Sequence, residues 1–197
     1  MRINLLLPVF ILVLIFNCLG QRPDVNWPLG FATPQFNLHF TPHGIQIDSV
    51  IRIRNGSFYF TNTSYSDTSG QVVLWTNGCR ISNGSTDTVV DGYVADSSTY
   101  CAVSLCGSSG IGGSIPNGAL IFKCSALNNQ YIVLNEYCSD LPSNPWPKNL
   151  YCSKVDMNAF SGQGAITTKN QVISNDTLCG SMAATQHSNG RYWWLID

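Results

Sequence analysis

No stretch of this chain sustains the apolar spacing of a helix, whereas short runs rich in Val, Ile, Thr, Tyr, Phe and Trp recur along most of its length, each bounded by Gly, Asn, Ser or Pro. An amphipathic helix needs apolar residues three and four apart, while a strand needs only four to eight residues between turn signals. The chain is therefore expected to be all-β. Its composition agrees: charged residues make up 11%, Glu136 is the sole glutamate, and good helix formers are scarce.

The runs fall into clusters. Gln35 to Phe40, Gln46 to Ile53, Ser57 to Ser64 and Gln71 to Asn77 form the first, with Arg54-Asn55-Gly56 and Thr68-Ser69-Gly70 as turns. A loop-rich stretch from Asn83 to Asn117 follows, containing a glycine-rich segment from Gly107 to Gly113. It is long for a connection and is expected to be a functional or disulfide-pinned insertion. The second cluster comprises Ala119 to Cys124, Gln130 to Tyr137, Asn149 to Met157 and Ala165 to Ser174. Leu127-Asn128-Asn129 turns its first pair, and the proline-rich segment Pro142 to Pro147 links the second pair. A third cluster opens at Met182. Val72 to Trp75 and Tyr131 to Leu134 are continuously apolar, which requires cover on both faces of the strand. Stacked sheets provide that cover, and so do the radially packed blades of a β-propeller.

Residues 1–20 read as a secretory signal peptide. Arg2 supplies the positive end, Leu5 to Phe16 the 12-residue apolar core, and Cys18-Leu19-Gly20 the small residues before cleavage at Gln21. That core is too short for a spanning helix, which needs about 20 apolar residues. Phe16-Asn17 in front of Cys18 argues against lipoprotein acylation. Residues 21–34 read as an N-terminal linker and 35–197 as the repeat region, with no membrane span after cleavage. The expected location is secreted or at the cell surface.

Cleavage would leave 177 residues with nine Lys and Arg against eleven acidic residues, a net charge of −2 without a basic block. Nucleic-acid binding is excluded on that ground, because phosphate contacts need clustered cations. Seven cysteines would remain, and in an exported chain they should mostly oxidise, one lacking a partner. No Cys-x-x-Cys spacing points to zinc. Cys138 and Cys152 flank the proline-rich loop and are expected to face each other on adjacent strands. Cys101 and Cys106 are close enough to pair locally, or either reaches Cys79.

The chemistry on offer is sparse, and no cofactor or metal is expected. His187, Asn189 and Arg191 form the densest polar constellation. Two roles fit it: ligand contacts facing a propeller channel, or a tight Asn189-Gly190 turn with His187 and Arg191 bonded to nearby backbone. Trp146, between Pro145 and Pro147, offers a flat ring on which a sugar would stack, or a plug at a sheet edge. His39, His43, Asp48, Asp91 and Asp96 supply triad-type residues, yet no Gly-x-Ser-x-Gly elbow frames a serine. Calcium and phosphate loops are missing. Asn55, Asn62, Asn83 and Asn175 each begin an N-glycosylation sequon.

The run Tyr192-Trp193-Trp194-Leu195-Ile196 reads as a strand whose two tryptophans point to opposite faces, and both need cover. The expectation is an incomplete protein, or half of an assembly that self-associates through this strand.

Several segments carry a resemblance. Leu74 to Asn83, Ile115 to Ile121, Leu150 to Met157, Gly164 to Asn170 and above all Ala184 to Ile196 resemble, in order, motifs of exported β-propeller-type proteins from Bacteroidetes, which often end in a type IX secretion sorting domain. The last segment is similar to a His-x-Asn-Gly-Arg-Asp-Trp-Trp signature, with Tyr192 in place of Asp. An Asn-Gly-Asp loop usual between residues 83 and 118 is replaced by Val90-Asp91-Gly92-Tyr93. The resemblance implies a partial β-propeller of four-stranded antiparallel blades, here the N-terminal portion, with a β-sandwich as the alternative. It implies no catalytic residues. The expected function is a non-catalytic binding or scaffold module for a surface, glycan or protein ligand. The alternatives are an extracellular lyase or lactonase using His187 as acid or base with Arg191 on an anionic substrate, and a short β-sandwich adhesin.

Overall fold

A computed structural model describes residues 26–30, 36–49, 57–94, 106–107, 112–124, 128–138, 147–176, 180–189 and 192–196. The leader-like segment, Cys18, Asn55, Asp96, Cys101, Trp146, Cys179 and Arg191 lie outside the described residues.

The chain is all-β. Its strands are β1 (Asn26–Leu29), β2 (Phe36–Thr41), β3 (Gly44–Ser49), β4 (Thr63–Ser66), β5 (Val72–Thr76), β6 (Ile81–Asn83), β7 (Ala119–Lys123), β8 (Gln130–Cys138), β9 (Pro147–Asp156), β10 (Ala165–Ser174), β11 (Ala183–Gln186) and β12 (Trp193–Ile196). Among the described residues they form four antiparallel sheets in chain order: β1-β2-β3, β4-β5-β6, β7-β8-β9-β10 and β11-β12. Neighbours in sequence are neighbours in every sheet, and none of the sheets closes on itself. No helix among the described residues is long and apolar enough to cross a membrane.

Each sheet packs on the next. Between the second and third lies a core of Leu74, Ile81, Val89, Val94, Tyr131, Val133, Val155 and Met157, with Tyr65 set edge-on to Tyr131 at 5.3 Å between ring centroids. Phe122, Leu134, Leu150, Cys152 and Met182 form another core on the opposite face of the third sheet, where Trp193 approaches Phe122 at 4.8 Å. Tyr131 and Val133 thus point one way and Leu134 the other, which accounts for an unbroken apolar run on β8. The same holds for β5: Leu74 enters the first core while Trp75 packs against Phe58. Burying each such side chain contributes roughly 1.5–3 kcal/mol. The first sheet docks on the second through Asn62 Nδ2, which donates to the Pro28 carbonyl (2.6 Å), and Ser64 Oγ, which donates to that of Asn26 (2.5 Å).

Local chemistry sets the turns. Between β4 and β5, Asp67 Oδ1 accepts from the amides of Ser69 (2.9 Å) and Gln71 (3.0 Å), and Gly70 takes a positive φ of 86°. After β6, Asn83 Oδ1 accepts from the Ser85 amide at 2.8 Å, and its Nδ2 donates to the Gly162 and Gln163 carbonyls. Cys79 is bonded to Cys106, pinning the loop-rich stretch beside Tyr137 and Tyr151.

Three expectations change. Asn26–Leu29, placed in the linker by sequence, is a strand, because β2 gives it a ladder partner that a local reading does not see. Ser57 to Asn62 is not a strand: its amides reach Gly30 (Phe58) and Gly113 (Phe60 and Thr61) instead of a neighbouring ladder, and β4 starts at Thr63. Cys138 and Cys152 do not face each other. The register sets Cys138 against Pro147 and Cys152 against Leu134, roughly 13 Å apart along the strands. Cys152 is a free, buried thiol, and Cys124 is also free.

Candidate functional site

The first strands of successive sheets converge. β4 lies alongside both β1 and β7, and the Met182 amide, just before β11, donates to the Asn117 carbonyl, just before β7, at 3.2 Å. Where they meet is an open cavity of about 270 Å³ lined by Trp27, Asn62, Thr63, Ser64, Asn117, Ala119, Leu120 and Met182. All four sheets contribute, each from its first strand or the residues leading into it.

Trp27 occupies the outward position of β1 between buried Asn26 and Pro28, and is 48% exposed. Its ring is held by an edge contact to Phe40, 5.1 Å between centroids. Asn62 Nδ2 donates one of its protons to the Pro28 carbonyl and its Oδ1 can still accept, while Ser64 donates to Asn26 and keeps its acceptor lone pairs. The Thr63 hydroxyl and the Asn117 carboxamide make no hydrogen bond among the described residues. Asn117 sits at φ 52°, a left-handed conformation that asparagine tolerates, which turns the chain into β7. Among the described residues the lining holds no titratable side chain, and these residues offer neutral donors, neutral acceptors and the aromatic face of Trp27.

The residues favoured from sequence lie elsewhere. His187 and Asn189 build the β11–β12 hairpin turn: the Asn189 amide donates to His187 Nδ1 (3.2 Å), the Tyr192 amide to Asn189 Oδ1 (3.4 Å), and the His187 amide to the Tyr192 carbonyl (2.8 Å). Of the two roles weighed for them, these bonds are those of the turn. Arg191, Trp146 and Cys101 lie outside the described residues.

The described triad-type residues, His39, His43, Asp48 and Asp91, do not assemble, and Asp96 lies outside the described residues. His39 Nδ1 lies 2.6 Å from Asn26 Oδ1, His43 and Asp48 are exposed on the first sheet, and Asp91 pairs with Lys169 (2.7 Å) beside the third. No group of three or more His, Cys, Asp or Glu able to hold a metal gathers among the described residues. Burial pushes the thiols of Cys124 and Cys152 upward, which keeps them protonated and poorly nucleophilic.

Trp27 was legible in sequence as a linker residue, Asn62 and Thr63 as the end of an expected strand and part of a sequon, and Asn117 as a loop end within one of the resembling segments. Their one shared signal is position, since each sits at or just before the first strand of a sheet. Searches against family models, curated proteins and solved structures return no match.

Proposed function

We propose that this chain is an exported, non-catalytic binding module built from propeller-type blades, with its ligand site where the first strands of the blades converge. One observation carries the reading: a single cavity draws on all four consecutive sheets and is lined by neutral hydrogen-bonding groups around an exposed tryptophan. Sites of this kind fix a ligand by a few convergent polar groups, whereas acid–base turnover needs a titratable side chain within reach.

The blade reading is supported by the meander order within each sheet and by the side-by-side placement of β1, β4 and β7, the innermost position in a propeller. Export is supported by the leader-like residues 1–20 and by the Cys79–Cys106 bridge, which belongs to oxidising compartments. The resemblance of Ala184 to Ile196 to exported Bacteroidetes propeller-type proteins belongs to the same proposal.

The test is to follow a ligand panel by thermal shift while recording NMR spectra of each ligand over days. Stabilisation with unchanged ligand spectra is expected. Conversion of a bound ligand at a rate that falls in His187→Ala would overturn the non-catalytic reading in favour of the lyase or lactonase alternative.

A further inference from the structure

We infer that the cavity between the first strands takes an uncharged saccharide, one pyranose ring at a time; the inference rests on the site proposed above and names its ligand class. Three features of the lining select this chemistry together.

The first is the aromatic face. Trp27 is half exposed yet fixed in orientation by Phe40, so its ring costs little entropy to use as a platform. A pyranose presents a face of C–H groups that stacks on such a ring. The second is the balance of polar groups. The Asn117 carboxamide supplies two donors and an acceptor, the Thr63 hydroxyl donates and accepts, and Asn62 Oδ1 accepts. Sugar hydroxyls donate and accept in the same way. An apolar ligand would strip water from these groups and return nothing, at about 1–3 kcal/mol for each left unpaired. The third is that none of the described lining residues is a Lys, Arg, His, Asp or Glu, so none of them offsets the desolvation of a charged ligand. Size agrees: about 270 Å³ falls just below the roughly 300–1,000 Å³ of sites for larger organic ligands.

The experiment uses the mature chain with the methyl glycosides of glucose, galactose, mannose and N-acetylglucosamine, read by saturation-transfer NMR and tryptophan fluorescence. Glucuronic acid and cyclohexanol serve as the charged and apolar comparisons. At least one glycoside is expected to bind with a millimolar dissociation constant. Asn117→Gly, which keeps the positive φ, and Thr63→Val, which keeps the shape, should each weaken it roughly 5-fold or more. Trp27→Ala should abolish the fluorescence response, and Trp27→Phe should restore binding in part. His187→Ala should leave it unchanged.

Failure of every glycoside to bind overturns the saccharide assignment. Binding of glucuronic acid or cyclohexanol alone, weakened by Asn117→Gly, overturns the ligand class and leaves the site standing. Glycoside binding that no cavity variant alters overturns both.

Discussion

Asp67 is only partly exposed and organises the β4–β5 turn, and its carboxyl is held below the usual range by hydrogen bonds, that of the Ser69 hydroxyl first, with the amides of Gln71, Ser69 and Gly70 adding to it. A depressed carboxyl contributes stability above its unfolded value, near 3.9, and loses it as pH falls through the lower folded value. Asp67→Asn should therefore be less stable than the wild type at neutral pH, with the gap closing at acid pH, below the unfolded carboxyl's value of about 3.9. Urea midpoints of the two proteins at both pH values test this; a gap independent of pH would assign the effect to shape alone. Tyr131 has the opposite sign. Burial, followed by the neighbouring Tyr65 and Asp67, pushes its phenol up to about 12. Stability held below pH 10 should drain away between about pH 10 and 12, as the unfolded chain ionises first. Tyr131→Phe should flatten that limb of the alkaline denaturation curve, and an unchanged limb would mean that Tyr131 ionises as freely as an exposed phenol. Such residues were legible in sequence only as types. Asp67-Thr68-Ser69-Gly70 announces a turn, but nothing local tells that Tyr131 will meet Tyr65 across two sheets.

Elements were legible where both faces of a strand are covered. Tyr131 to Leu134 and Leu150 to Val155 carry enough apolar residues to be strands whatever surrounds them, and they appear as β8 and β9 close to their expected bounds. β1 was not, because Trp27-Pro28 is a poor strand by propensity and exists through pairing with β2. Ser57 to Asn62 failed in the reverse sense: its aromatic run looks like a strand, but Thr61 Oγ1 donates to the Ile115 carbonyl at 2.7 Å and its backbone follows that loop. The Cys79–Cys106 bridge ties the loop down. Closing 27 residues contributes about 3.5 kcal/mol in the chain-entropy account. Cys106→Ala should lower stability by roughly 2–4 kcal/mol, and reduced wild type should match it in a urea titration. Equal midpoints for the variant and the oxidised wild type would deny the bridge any role. Leu74→Ala, at a fully buried position, should cost about 2–5 kcal/mol with no bridge involved.

At the scale of the molecule, cover is uneven, and stability should follow it. The third sheet is packed on both faces, by the second sheet on one side and by Met182, Ala184 and Trp193 on the other. β3 is exposed along its whole length, with Ile45 and Ile47 in solvent, and β12 is exposed throughout, Trp193 at 41% and Trp194 at 60%. The requirement that both tryptophans be covered was read from alternation alone; the structure meets it for part of Trp193 through Phe122 and, among the described residues, sets Trp194 against the tilted ring of His187, 5.8 Å between centroids. Amide opening costs the full unfolding free energy where a strand lies between two cores, and little where one face is wet. Hydrogen exchange should therefore show slow amides on β8 and β9, intermediate ones on β4 and β5, and fast ones on β3 and β12. If β12 exchanges as slowly as β8 at low protein concentration, its exposed face is covered within the single molecule, against the packing in which it faces solvent. If it slows only as concentration rises, a second copy covers it, and β12 is an assembly surface.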